Sequence, residues 1–200
     1  MAAAGLEVEV KFYAADLPAV RGRLVAAGAS LIRPRVFERN VRYDNAWSGL
    51  ARRGRLLRLR QDTAASLTFK ALPDGAPASE ARVRQELEVG VGDFGVMEAI
   101  LERLGFQPSQ CYEKYREAWQ LGPVEVVLDE LPFGDFVELE GPEERLRAAA
   151  EALDLDWGRR ILENYLGLMA RLKAHHKLPF DDLTFANFAG LEVRIADVLG

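Results

Sequence analysis

One cysteine and two histidines in 200 residues remove several kinds of chemistry from consideration. Cys111 alone excludes an intramolecular disulfide and suits a reducing compartment; with no histidine suggestively placed, it reads as a small core residue rather than a nucleophile. His175 and His176 are adjacent instead of spaced along one helix face, so a solvated pair is expected and a zinc site is not. No Walker-type glycine-rich loop and no dinucleotide fingerprint occurs, so a helix N-terminus is not the route to phosphate binding. No run of about 18 apolar residues is present to cross a membrane. The first residues lack the basic and apolar regions of a signal peptide, and a cytoplasmic location is expected. The net charge of −5 argues against a general nucleic-acid binder, although Arg39, Arg42, Arg52, Arg53, Arg55, Arg58 and Arg60 make one region basic inside an acidic chain.

What the chain does have is alternation. Leu6, Val8, Val10 and Phe12 interleave with Glu7, Glu9 and Lys11, a period of two that predicts a strand with one apolar and one charged face. The device recurs. Arg58 and Arg60 oppose Leu57 and Leu59; Thr68 and Lys70 oppose Leu67 and Phe69; Arg82, Arg84, Glu86 and Glu88 oppose Val83, Leu87 and Val89. Lys114 and Arg116 share a face, Glu125 and Asp129 oppose Val124, Val126 and Leu128, and Glu138 and Glu140 oppose Val137 and Leu139.

Turn and cap residues divide the chain into about eight strands and four helices. Helices are expected over roughly 17–28 (capped by Asp16, stopped by Gly28), 92–105, 142–153 and 159–177. Strands are expected near 6–12, 35–44, 55–62, 66–72, 81–91, 110–120, 123–130 and 135–141, with a short helical or turn segment from Trp47 to Arg53 and a loop over 73–77. Most connections have hairpin length. The expectation is an α+β fold: an antiparallel barrel or strongly curved sheet with helices packed outside. One domain over 1–180 is expected, followed by a tail, 181–200, of open role, which is extended, helical or loosely attached.

Two arrangements fit the charged faces. They meet water, as in any half-buried sheet, or the sheet closes and they line a cavity whose apolar outer wall is covered by helices. In a cavity, so many cations need carboxylates or an anionic ligand to offset their repulsion. Planar Arg forks suit phosphate oxygens, and grouped carboxylates suit Mg²⁺ or Mn²⁺. Together they describe a site for a polyphosphate with a metal.

These residues resemble the CYTH domain of the triphosphate tunnel metalloenzymes. The likeness is carried by Glu7-x-Glu9-x-Lys11, Tyr43-Asp44, Leu57-Arg58-Leu59-Arg60, Thr68-Phe69-Lys70, Arg84-Gln85-Glu86-Leu87-Glu88, Lys114-Tyr115-Arg116, Asp129, Glu138-Leu139-Glu140-Gly141 and Tyr165-Leu166, in order over about residues 5–180. The resemblance implies an eight-stranded antiparallel β-barrel forming a tunnel for a triphosphate. It implies metal ligation by Glu7, Glu9, Asp129, Glu138 and Glu140, with Glu86 and Glu88 as further contributors. Arg58, Arg60, Lys70, Arg84, Lys114 and Arg116 would bind phosphates, Lys11 would be a catalytic lysine, and Arg160 a further cation. Clustered cations are expected to lower the pKa of Lys11 and give it some base character. The implied activity is metal-dependent hydrolysis of inorganic triphosphate, thiamine triphosphate or a nucleoside triphosphate. The alternatives are a class IV adenylate cyclase and a non-catalytic polyphosphate-binding module. The expected partner is a triphosphate-bearing small molecule, and a homodimer is the default for a soluble enzyme.

Overall fold

The computed structural model describes residues 5–73 and 79–199. The loop expected over 73–77 lies, from Asp74 on, outside the described residues. Eight antiparallel strands close on themselves: β1 (Gly5–Ala14), β2 (Ser30–Asp44), β3 (Leu56–Gln61), β4 (Ala65–Ala71), β5 (Arg82–Val91), β6 (Gln107–Leu121), β7 (Val124–Leu131) and β8 (Gly134–Glu140). The order around the barrel is β1-β5-β4-β3-β2-β6-β7-β8, with β8 paired back to β1. Closure settles the choice between the two arrangements, because a barrel gives every strand an inner face.

The outer, apolar faces are covered in two places. Helices α1 (Leu17–Ala26) and α3 (Glu143–Ala152) pack Leu17, Val20, Leu24, Leu146 and Ala150 against Val10, Phe12, Val126, Val137 and Leu139. Helix α2 (Phe94–Arg103) packs Leu101, Phe94 and Met97 over Val41, Tyr43 and Leu59. Asp16 and Asp93 cap α1 and α2 by accepting the N–H groups of Ala19 and Val96, each at 2.9 Å. The expected cover is incomplete, however: Leu6, Leu87 and Val89 on the outer faces of β1 and β5 are 62%, 45% and 60% exposed.

Three sequence boundaries shift for identifiable reasons. β2 begins at Ser30, not 35: register shifts between Leu31 and Arg33 and between Arg33 and Val36 pass over Pro34, and pairing with β6 continues on both sides of it. The helix expected from 159 begins only at Tyr165 (α4, Tyr165–His176): Asn164 caps it, and Ile161 instead donates its N–H to the Lys11 carbonyl at 2.7 Å. The tail is packed. The β6–β7 ladder starts at Tyr115, which leaves the first half of β6 without a partner on that side. Leu183 fills the gap, donating to the Cys111 carbonyl and accepting from Glu113 N–H, both at 2.9 Å. Two short helices follow, α5 (Phe185–Phe188) and α6 (Ala196–Leu199), and Leu183 and Ile195 are fully buried beside α4.

Candidate active site in the barrel lumen

Lys11 on β1 and Glu138 on β8 are register neighbours and pair at 2.6 Å. Glu138 also accepts from Arg116 at 2.5 Å, and Arg116 forks onto Asp129 at 2.8 and 2.7 Å. Asp129 is fully buried and further accepts from Lys114 at 2.9 Å and from the Tyr165 hydroxyl at 2.8 Å. The Tyr165 ring lies against two of these cations, 4.3 Å from Lys11 Nζ and 5.4 Å from Lys114 Nζ, so α4 floors this part of the lumen. On the opposite wall Lys70 bonds both oxygens of Glu7 at 2.5 and 2.7 Å and lies 3.2 Å from Glu86. Arg58 donates to the Tyr112 hydroxyl and to Thr68, while Arg60 and Thr68 both donate to Glu88, at 3.0 and 2.6 Å. Arg82 donates to Glu9 at 2.7 Å.

These groups surround a cavity of about 290 Å³. Nine cations line it (Lys11, Arg33, Arg42, Arg58, Arg60, Lys70, Arg82, Lys114 and Arg116) against seven carboxylates (Glu7, Glu9, Glu86, Glu88, Glu125, Glu138 and Glu140). Asp129 and Glu38, both fully buried, sit behind this wall and offset the excess. The lumen therefore gathers nine cations, balanced by nine carboxylates, around one desolvated space, where an anion would meet cationic donors already held in place.

Of the expected phosphate binders, Arg58, Arg60, Lys70, Lys114 and Arg116 line the cavity and Arg84 does not. Its guanidinium donates instead to the Gly54 carbonyl at 3.2 Å, and Arg82 stands in the lining. Arg160 is also turned away, onto the carbonyls of Glu80 and Trp157. The groove it borders, about 750 Å³, lies outside the barrel against residues 154–163 and the last helix; of its arginines, Arg160 is spent on Glu80 and Arg171 on Glu163 and the Val198 carbonyl, while Arg159 has no ion pair among the described residues. Sequence reading missed Glu38, Asn40 and Arg42, although they alternate with Phe37, Arg39, Val41 and Tyr43 in the same period of two; it also missed Arg33 and Tyr112.

The electrostatics correct one expectation. Burial alone would depress the Lys11 ammonium, but Glu138 and Glu9 outweigh it and hold its pKa above the ordinary lysine range. These two carboxylates thus favour the charged form of Lys11, the opposite of the depressed pKa expected from the clustered cations. Burial would raise Glu138, yet Lys11, Arg116 and Lys114 keep it well below the usual carboxylate range. Glu140 goes the other way: burial and the neighbouring Glu7, Glu125 and Glu9, only partly opposed by Lys70, push it up to about 7.

Most of the lumen carboxylates are committed to cations: Asp129 and Glu138 to Lys114, Arg116 and Lys11, Glu88 to Arg60, Glu7 to Lys70 and Glu9 to Arg82. Glu125 and Glu140 have no ion pair among the described residues, and they share one stretch of wall with Glu7 and Glu9, Glu140 being the register neighbour of both Glu9 and Glu125. That oxygen-only donor set suits a hard cation, and the raised Glu140 shows negative charge that a cation would offset. Among the described residues, no three of these side chains are already gathered around one metal position.

The rim of the lumen at the β2–β3 connection is rigidly built. Asp44 accepts the N–H groups of Asn45, Leu50 and Ala51 at 2.8, 3.0 and 2.9 Å, and Asn45 Oδ1 accepts from Trp47 and Gly49. Asp44→Ala leaves these donors to water and is expected to cost about 2 kcal/mol, read as a lowered urea midpoint with unchanged slope. A midpoint equal to wild type would show that the loop does not depend on this carboxylate.

Known proteins give the same picture. A structure of a candidate adenylate cyclase from Vibrio parahaemolyticus superposes with a TM-score of 0.72 at 21% identity, covering 80% of this chain and 95% of that one. A conserved hypothetical protein from Pyrococcus furiosus gives 0.67 at 24% identity, covering 80% and 98%. A candidate adenylyl cyclase from Hippeastrum, described as having a dominant triphosphatase activity, gives 0.56 at 18%, covering 80% and 90%. At these identities the likeness is one of fold. No curated protein matches. The CYTH domain family model matches residues 5–163, all eight strands and helices α1 to α3, and the chain belongs to the CYTH domain family.

Proposed function

We propose that the lumen binds a small triphosphate and hydrolyses it with the help of a divalent metal. The observation that carries this reading is the lining itself: nine cations converge on a space of about 290 Å³, too small for a whole nucleotide and at the low end for ligand pockets, yet suited to a phosphate chain. Arg58, Arg60, Lys70, Lys114 and Arg116 would hold non-bridging oxygens and stabilise the charge that develops as the terminal P–O bond breaks. Lys11, kept protonated by Glu138 and Glu9, would neutralise charge at the transferring group. Asp129 and Tyr165 act through others: they fix Lys114 and Arg116 in place. Glu7, Glu9 and Glu140 would hold Mg²⁺ or Mn²⁺, which when bound supplies Lewis-acid polarisation of phosphoryl oxygens.

The test is direct. Purified protein is incubated with Mg²⁺ or Mn²⁺ and, in turn, inorganic triphosphate, thiamine triphosphate and ATP, and products are resolved by chromatography. Orthophosphate release that a chelator stops is expected. Cyclic AMP and pyrophosphate from ATP would replace hydrolysis by the cyclase reaction, and tight retention without turnover would leave a binding module.

A further inference from the structure

Arg58 owes its placement in the lumen to neutral groups more than to charge. Glu88 is 3.8 Å away, whereas the Tyr112 hydroxyl and Thr68 Oγ1 accept from the guanidinium at 3.0 and 3.2 Å. Tyr112 also lines the cavity, and no described residue accepts its hydroxyl proton. A hydroxyl that accepts from a guanidinium and still has its own proton to give can donate to the phosphoryl oxygen that the guanidinium holds.

Tyr112 stands on the half of β6 that β7 does not reach. On one side its register partner is Asn40 of β2; on the other the partner is Leu183 of the tail, beyond the stretch that the family model matches. Leu183 bonds both neighbours of Tyr112, giving its N–H to the Cys111 carbonyl and accepting from Glu113 N–H, each at 2.9 Å. Asp182 Oδ1 accepts the Cys111 N–H at 2.8 Å, and Glu113 Oε2 accepts that of Phe185 at 3.0 Å. The Tyr112 ring lies in one apolar cluster with Leu183, Phe188 and Ile195. Residues 182–185 thus form a hook that does for this half-strand what β7 does for the rest. Loosened, they would leave the backbone around Tyr112 held from one side, and the hydroxyl at the far end of the side chain magnifies any rotation of that backbone.

Building on the triphosphate reading above, we propose that Tyr112 is a further phosphate-binding residue of the lumen and that Asp182, outside the lumen, is a positioning residue. The hook sets Tyr112, and Tyr112 sets Arg58.

Calorimetric titration with the imido analogue of inorganic triphosphate, in Mg²⁺, tests this on wild type, Asp182→Ala, Asp182→Asn, Tyr112→Phe and the Asp182→Ala/Tyr112→Phe double variant. Urea midpoints show that each is folded. Tyr112→Phe is expected to weaken binding about tenfold and Asp182→Ala about fivefold. Asp182→Asn keeps an acceptor for the Cys111 N–H and should bind as wild type. With Tyr112→Phe already in place the alanine change should cost nothing more, because the hook then has no hydroxyl to place. Should Asp182→Ala not fold, Asp182→Glu, which displaces the carboxylate by one methylene, takes its place in the cycle. A full further loss in the double variant would overturn the positioning role, and wild-type affinity in Tyr112→Phe would remove Tyr112 from the phosphate site, both leaving the triphosphate reading intact. No binding by wild type would sink that reading and this inference with it.

Discussion

Replacing Asp129 by alanine is expected to destabilise the fold by about 3–5 kcal/mol, because it strands buried cations. Asp129 is fully buried and accepts four hydrogen bonds: two from Arg116, one from Lys114 and one from Tyr165. Lys114 is 2% exposed, so without Asp129 its ammonium retains Glu38, 3.7 Å away, as its one carboxylate partner among the described residues. Arg116 keeps Glu138, which must also serve Lys11. Asp129→Asn keeps the volume and one acceptor and should fall between wild type and alanine. Inorganic triphosphate added to Asp129→Ala should restore part of the loss, since an anion beside Lys114 and Arg116 binds the folded state alone. Urea unfolding of the two variants, with and without the anion, measures all of this. A loss below about 1 kcal/mol for Asp129→Ala would mean that the cations do not depend on this carboxylate and would free it for metal ligation.

The closed barrel was legible because one signal repeats: β1, β3, β5 and β8 carry charged residues at successive alternate positions, β4 and β7 carry Lys70, Glu125 and Asp129 in the same phase, and a strand with an unbroken register keeps those residues on one face. β2 hid its share. Its bulges around Pro34 break the period upstream, so Glu38, Asn40 and Arg42 did not stand out as a lumen row. Pairing was not legible at all, since it depends on contacts distant in the chain. Lys70 meets Glu7 across 63 positions and Arg58 meets Tyr112 across 54. The reversed sign at Lys11 has the same origin. A count of cations in the sequence predicts a depressed ammonium, whereas the immediate neighbours, Glu138 and Glu9, decide the outcome. Arg82 and Arg84 share a face and could not be ranked from sequence; a carbonyl on the β2–β3 loop, Gly54, takes Arg84. The tail carried no periodic signal because it contributes single anchors, Leu183 and Ile195, at positions fixed by the unpaired half of β6 and by the Phe133 carbonyl.

In chelator, the stability of the protein is expected to fall as pH rises from about 5 to 8, with Glu140 the main cause. Its carboxyl titrates near 7 in the folded protein, from burial and then from Glu7, Glu125 and Glu9 against the opposing Lys70, and near its ordinary value of 4.5 when unfolded. Between those values the folded state holds the proton and the unfolded state does not, so stability drops with pH across that window and the full cost stands above it. The expected change for this group is about 3 kcal/mol. Glu7, also raised by burial, acts in the same direction. Glu138 and Glu9 act oppositely but on the acid side: both are held below the ordinary value, so their contribution is present above about 4.5 and is lost as pH falls through their folded pKa values. Glu140→Gln removes the group and should flatten the profile between pH 5 and 8, leaving the variant more stable than wild type at pH 8 in chelator. Mg²⁺ or Mn²⁺ should raise the wild-type midpoint more at pH 8 than at pH 5, because a cation beside Glu7, Glu9 and Glu140 offsets the charge that the deprotonated Glu140 adds. Urea midpoints across this range, with chelator and with each metal, measure the effect. A flat wild-type profile in chelator would show that Glu140 is not under the repulsion this lumen places on it. A metal effect that survives unchanged in Glu140→Gln would move the cation elsewhere.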